Sequence, residues 1–312
     1  MMRGCFNQPG SNWLRGAEGV RNGYRIILFI ALFMLLSFVT FNLFGAIATV
    51  VSILTSHQHL ANFAAGRAYA KAHPPHFPMW VFEAISIVII LVTTKIMTWL
   101  EDRSLWSCYL NSPKRVGPLL GGILCGIVAL SALIGILLIT GHARISFQNA
   151  PVGTFVLNAI GGLILALMIG FNEEFTFRGY IQQTFSAKSG FWIALIVTSL
   201  IFCCAHLGNP NENTIGIAVV FGAGVLLCVG LRQTGALWWS IGFHAGWDFS
   251  QDYLYGTHDS GLTMKGALLD TIPQGATWLS GGGVGPEGSI FALLVEVIVV
   301  VLLLTLWRRK VL

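Results

Sequence analysis

The stretch PVGTFVLNAIGGLILALMIGFNEEFTFR, residues 151–178, places two acids and an arginine directly behind a long apolar run. Residues 151–172 contain no charged side chain, and about 20 mostly apolar residues are what an α-helix needs to cross a bilayer. The run therefore predicts a membrane-spanning helix that is followed immediately by a group of ionisable side chains.

The composition of the whole chain agrees with this prediction. Of its 312 residues, 55% are hydrophobic and 10% are charged, whereas about 25% are charged in an ordinary soluble domain. These values exclude a soluble globular enzyme, a disordered chain and a coiled coil. We expect an all-α, polytopic membrane protein with about eight transmembrane helices. The apolar runs that predict these helices are 25–54, 79–100, 116–140, 151–172, 191–207, 215–231, 236–250 and 289–307.

The basic residues predict the orientation of the helices. If residues 1–24 form a cytoplasmic tail, most Lys and Arg side chains outside the apolar runs fall in cytoplasmic segments, as the positive-inside rule requires. We therefore expect a transmembrane domain over 25–312 in the inner or plasma membrane, with both termini in the cytoplasm. Residues 55–78 and the Gly-rich residues 251–288 are then outer loops. The first loop contains four histidines that could bind a metal ion, although a solvated polar loop is the simpler interpretation: His57, His59, His73 and His76.

Ionisable side chains within or beside the apolar runs are candidates for function, because their burial in a membrane is costly. Most of them fall between residues 173 and 248, and this clustering is the most informative feature of the sequence. The candidates are Glu83, Lys95, Glu173, Glu174, Arg178, His206, His244, Asp248 and Glu296. For Glu296, pairing with a neighbouring helix is the simpler interpretation.

The first group of candidates is Glu173, Glu174 and Arg178. On a helix Glu174 and Arg178 lie one turn apart on the same face, so they can form an ion pair. Glu173 points about 100° away and lacks this partner. Desolvation and the neighbouring carboxylate make the Glu173 carboxylate more ready to take up a proton, as a general base does. The alternative is an interfacial salt bridge with a bystander glutamate.

The second and third groups lie in the fifth and seventh apolar runs. His206 ends the fifth run, and taken alone it is more often a hydrogen-bonded structural histidine. His244 and Asp248 are four residues apart and so share one helix face, where they could reach one substrate group or a metal ion; an intrahelical pair is the alternative. Acids and histidines from three helices predict an active site in the core of the bundle.

These residue types suit hydrolysis of a peptide bond. Glu173, helped by His206, would take a proton from water, while His244 and Asp248 would hold the developing oxyanion or a metal ion that does so. The sequence contains no HExxH, GxGD or GxSG motif, which weighs against three other classes of membrane protease, the site-2, presenilin-like and rhomboid classes.

The motifs also resemble a known family. The CPBP family, which includes the CAAX proteases and bacteriocin-processing enzymes and is also called Abi, carries three similar motifs in the same order. Here they are Glu173-Glu174-x-x-x-Arg178, Phe202-x-x-x-His206 and His244-x-x-x-Asp248. The resemblance covers about 155–252 and implies a bacterial-type intramembrane endopeptidase.

The resemblance also implies a role for each residue. Glu173 and His206 would activate the water, His244 and Asp248 would stabilise the transition state, and Glu174 and Arg178 would support the site. The position of Asp248 is often Asn in the family. An ionised Asp cannot donate to an oxyanion, so Asp248 must be protonated, orient His244 or bind a metal ion. His206, His244 and Asp248 could together bind Zn²⁺ as a cofactor, but the same residues also suit a metal-free mechanism.

The expected partners are the lipid bilayer and a peptide or protein substrate, and no nucleic acid. Two other functions remain open from the residues alone. One is a non-proteolytic membrane scaffold or immunity protein with the same fold. The other is a proton-coupled transporter that uses the buried carboxylates and histidines as a relay.

Overall fold

A computed structural model of the chain describes residues 5–8, 14–16, 19–55, 63–72, 77–260 and 266–306. The four histidines of the first predicted loop, and the greater part of residues 1–18, lie outside these described ranges. The chain divides into two compact units, Met1–Asp102 and Arg103–Leu312.

Within its described residues, the first unit contains three α-helices and a small hairpin. Helix α1 (Asn22–Thr55), α2 (Phe63–Ala72) and α3 (Met79–Leu100) follow the hairpin of β1 (Arg15–Gly16) and β2 (Gly19–Val20). Arg25 near the start of α1 joins the end of α3, because its Nη1 lies 3.6 Å from Glu101 Oε1.

The second unit contains the remaining helices. They are α4 (Val116–Ile139), α5 (Val152–Glu174), α6 (Gln182–Ser189), α7 (Phe191–Ala205), α8 (Thr214–Thr234), α9 (Trp238–Phe249), α10 (Thr277–Ser280) and α11 (Ile290–Leu306). A π-helical segment, Phe175–Ile181, joins α5 to α6, and a second, Ser250–Leu254, extends α9. Strands β3 (Ala143–Phe147) and β4 (Leu269–Pro273) form an antiparallel pair in register Ala143↔Pro273, which the sequence analysis did not predict.

The prediction of a helical membrane protein is confirmed. Each of the eight apolar runs coincides with a helix. Within the described ranges, five helices are long and apolar enough to cross a membrane: Asn22–Leu54, Met79–Leu100, Val116–Ile139, Val152–Ser189 and Thr214–Thr234. The apolar helices Phe191–His206 and Ile290–Leu306 are shorter, so the count of eight spans stays a prediction.

Helices α4 and α9 pack with their backbones in direct contact. A Cβ atom at Gly126 of α4 would lie 2.2 Å from the carbonyl oxygen of Phe243, and one at Gly242 of α9 would lie 2.1 Å from that of Leu119. Gly122 and Gly246 are equally confined, so each helix presents glycines four residues apart to the other. Small residues at this spacing let membrane helices approach closely. This contact sets the position of the helix that carries His244 and Asp248.

Candidate active site

Two interruptions of regular α-helix lie beside the predicted motifs. The π-helical segment Phe175–Ile181 begins directly after Glu174 and contains Arg178. The segment Ser250–Leu254 begins two residues after Asp248. Single-turn π-bulges within helices are frequent at functional sites, because they redirect side chains without ending the helix.

Glu174 joins the first motif to the third. Its Oε1 accepts a hydrogen bond from Arg178 Nη1 at 3.0 Å and another from His244 Nδ1 at 3.0 Å. The side chains of Glu174 and Arg178 are fully buried. The predicted ion pair between them is therefore present, and its carboxylate also orients the imidazole of α9. Because His244 Nδ1 donates to Glu174, its Nε2 faces the rest of the site.

His206 follows the last residue of α7 and is held by its own helix. Its Nδ1 donates to the carbonyl oxygen of Phe202 at 2.9 Å, and a carbonyl oxygen can only accept. The proton is therefore assigned to Nδ1, and Nε2 of the neutral ring has a free lone pair. This tautomer suits a group that accepts a proton or a hydrogen bond.

Glu173 lies between the two histidines. Its Oε2 is 3.8 Å from His206 Nε2 and 3.8 Å from His244 Nε2. Among the described residues this oxygen has no hydrogen-bond partner, although it is buried. The Glu173 side chain as a whole is 29% exposed, in contrast to the fully buried Glu174. The two neighbouring glutamates thus have different environments, and Glu173 is the one that a substrate could reach.

Asp248 completes the group. Its Oδ2 is 3.6 Å from His244 Nε2, as their spacing on one helix face predicts, and its side chain is 8% exposed. The structure therefore brings all six predicted residues together, with His244 next to three carboxylates. Their catalytic roles stay predictions.

Zinc binding is predicted from the sequence for three of these residues, His206, His244 and Asp248. Within the residues that the structure describes, no group of three or more His, Cys, Asp or Glu side chains is placed so that it could hold a metal ion. His206, His244 and Asp248 are therefore not placed as a set of metal ligands in this structure. Bound zinc stays a prediction for them, and we derive no step through it.

Three further acids, which lie outside the apolar runs and the three motifs, are near the site. Asp252 lies beyond the seventh apolar run, where burial and the Glu287 carboxylate raise its pKa to about 7. Burial raises the pKa of Glu287 as well, although the Ser260 N–H and hydroxyl both donate to its Oε1. Burial, followed by the charge of Asp248, raises the pKa of Asp259. Asp252 belongs to the π-helical segment that extends α9, four residues after Asp248, whereas Asp259 and Glu287 reach the site because the predicted outer loop folds onto the bundle.

Glu296 lies apart from these residues. It is 4% exposed in α11, and within the described chain its Oε2 has no hydrogen-bond partner. The ion pair expected for it with a neighbouring helix is not found among the described residues. Its carboxylate instead lies against Gly222 of α8, where a Cβ atom would be 2.2 Å from Oε2.

Comparison with known proteins agrees with the resemblance seen in the motifs. Residues 155–250 match the model of a family described as type II CAAX prenyl endopeptidase Rce1-like. The matched segment runs from α5 to the start of the second π-helical segment and contains all six predicted site residues. No curated protein matches the chain significantly.

Proposed function

We propose that this protein, whose residues 155–250 match the family model of the CAAX prenyl endopeptidases, is an intramembrane endopeptidase whose nucleophile is a water activated by Glu173 and His206. The family supports proteolysis in general terms, and the type of catalysis is our inference. The observation that carries it is the position of Glu173 Oε2, which lies 3.8 Å from the Nε2 atoms of both histidines.

The activation step follows from these distances. A separation of 3.8 Å is too long for a direct hydrogen bond, but one water can bridge two such groups. Such a water donates to Glu173 Oε2 and to His206 Nε2. As its oxygen attacks the carbonyl carbon of the substrate, Glu173 takes the proton. Glu173 later gives that proton to the amine nitrogen as the C–N bond breaks.

The oxyanion is stabilised from the other side of the site. When His244 is doubly protonated, its Nδ1 donates to Glu174 and its Nε2 donates to the developing negative charge. Asp248 donates a second hydrogen bond in its protonated form, in the role that the amide of Asn would have. Donors that are already in position when charge develops commonly supply the largest part of such catalysis.

The substrate is a peptide bond of a membrane-associated protein or peptide. The name of the matched family makes a prenylated CAAX tail the first substrate to test. We place both termini in the cytoplasm and the protein in the inner or plasma membrane, on the basis of the distribution of Lys and Arg. Reporter fusions after residues 110 and 186 should then report cytoplasm, and a fusion after residue 146 should report the outside.

The test of the general base is Glu173→Gln. It keeps the shape of the side chain but cannot take a proton, and loss of a general base lowers turnover by about 10²–10⁴-fold. The purified protein is assayed in proteoliposomes with a fluorescence-quenched peptide that ends in a farnesylated CAAX sequence. Glu296→Gln is the matched control, because Glu296 is a buried glutamate outside the site. Turnover by Glu173→Gln at the rate of the unmodified protein would exclude Glu173 as the base.

A further inference from the structure

Phe202 contacts two charged or ionisable side chains of the site at once. The guanidinium carbon of Arg178 lies 4.2 Å from the centroid of the Phe202 ring. The imidazole of His206 lies on the same aromatic side chain, with ring centroids 4.5 Å apart. The backbone carbonyl of Phe202 also accepts the hydrogen bond from His206 Nδ1. One residue therefore contacts the Arg178 cation and holds the His206 imidazole.

The position of the Phe202 ring is restrained from other directions as well. Phe177 meets it edge to face, with centroids 5.0 Å apart and an interplanar angle of 84°. Val220 of α8 belongs to the same buried apolar cluster. Phe202 itself is 3% exposed. The Phe202 ring is therefore packed among Arg178, Phe177 and Val220, and the His206 imidazole packs against it.

Besides Glu174 and Phe202, the Arg178 guanidinium lies 5.9 Å from the centroid of the Phe177 ring and interacts with the Cys228 thiol. Arg178 is fully buried, and among the described residues its Nε and Nη2 atoms have no hydrogen-bond partner. Its Nη1 donates to Glu174. A guanidinium over an aromatic face is attracted by the negative potential of the ring, and more strongly when water is excluded. Of the two aromatic rings beside the guanidinium, Phe202 at 4.2 Å is closer than Phe177 at 5.9 Å, so the Phe202 ring makes the stronger cation–π contact.

We propose that Phe202 is a positioning residue of the hydrolytic reaction, which holds His206 Nε2 towards Glu173 because Arg178 anchors its ring. This inference rests on the function proposed above. It makes Arg178 the common support of both histidines, since Arg178 orients His244 through Glu174 and His206 through Phe202. Two histidines on different helices are thereby aligned by one buried cation.

The direct test changes the electrostatics of the ring while keeping its size. Phenylalanine analogues with one, two and three ring fluorines, incorporated at position 202, progressively weaken the negative potential of the face. We expect kcat for the farnesylated CAAX peptide to fall with each fluorine, by 10-fold or more for the trifluoro analogue, with KM within twofold. Phe191 is the matched control, because Arg232 lies 4.5 Å from its ring centroid at the other end of α7. The same series at position 191 should leave kcat unchanged.

A second measurement does not depend on the substrate. The Nδ1 proton of His206 should give a slowly exchanging NMR signal, because it is buried against a carbonyl oxygen. In Phe202→Leu this signal should broaden or exchange faster, whereas in Phe191→Leu it should persist. A signal that is unchanged in Phe202→Leu, or a kcat that is independent of fluorination at position 202, would overturn the positioning role. If Glu173→Gln remains active, the proposed function itself is wrong, whatever the fluorine series shows.

Discussion

Replacing Glu174 by glutamine should destabilise the protein strongly, and the structure allows the size of the effect to be worked out. Glu174 Oε1 accepts from Arg178 Nη1 and from His244 Nδ1, each at 3.0 Å, in a fully buried environment. Hydrogen bonds to a charged group contribute about 1.5–3 kcal/mol each. Removing one partner of a buried ion pair costs about 3–5 kcal/mol, because the other charge stays desolvated and unpaired. We therefore expect Glu174→Gln to lower the free energy of unfolding by about 3–5 kcal/mol.

A second substitution separates this explanation from a simple packing defect. If the cost arises from the unpaired Arg178 cation, removing that cation as well should restore most of the lost stability. The double variant with Glu174→Gln and Arg178→Met should therefore be more stable than Glu174→Gln alone. The assay is unfolding in mixed detergent micelles, followed by tryptophan fluorescence. The reasoning is refuted if Glu174→Gln lies within about 1 kcal/mol of the unmodified protein, or if the two changes destabilise additively.

Three other predictions concern the same unit. If the site works without metal, Asp248→Asn should keep or raise activity and extend it to higher pH, because the Asn amide donates a hydrogen bond at every pH. Stoichiometric zinc in the unmodified protein that is lost in Asp248→Asn together with activity would contradict this mechanism. Gly246→Ala should destabilise the protein by about 1–3 kcal/mol through overpacking, because the new Cβ atom would lie 2.2 Å from a backbone carbonyl of α4. Gly121→Ala, with nothing within 4 Å of its Cβ, is the control in the same unfolding assay. The pKa of Asp252 is raised to about 7 in the folded state. Between the ordinary pKa of Asp and pH 7, the folded state therefore binds more protons than the unfolded state. The free energy of unfolding should then fall as pH rises through that range. Asp252→Asn should flatten this dependence in unfolding midpoints measured from pH 5 to pH 8, and an unchanged slope would show that other groups cause it.

The helices, and the side-chain pairs within each helix, follow from the amino-acid sequence alone. A run of about 20 apolar residues must satisfy its backbone hydrogen bonds internally once it is in a membrane, so a helix follows from composition alone. Helical periodicity then places residues four apart on one face. For this reason the pairing of Glu174 with Arg178, and the proximity of His244 to Asp248, could be predicted from local spacing.

Contacts between helices could not be predicted in this way. The bond from Glu174 to His244 joins residues 70 positions apart, and it depends on how closely α5, α4 and α9 approach. The glycines at positions 122, 126, 242 and 246 are visible in the sequence, but only the packed bundle identifies them as the contact between α4 and α9.

The acids of residues 251–288 also show what local spacing can and cannot predict. Asp252 lies four residues after Asp248 in the segment that extends α9, so its position follows from helical spacing. Asp259 and Glu287 instead belong to a Gly-rich segment with many accessible backbone conformations. Their approach to the site is decided by tertiary packing of the loop on the bundle, which local sequence does not determine. The fold therefore decides which acids of the site lie next to the histidines, whereas the sequence alone decides which helices carry the motifs.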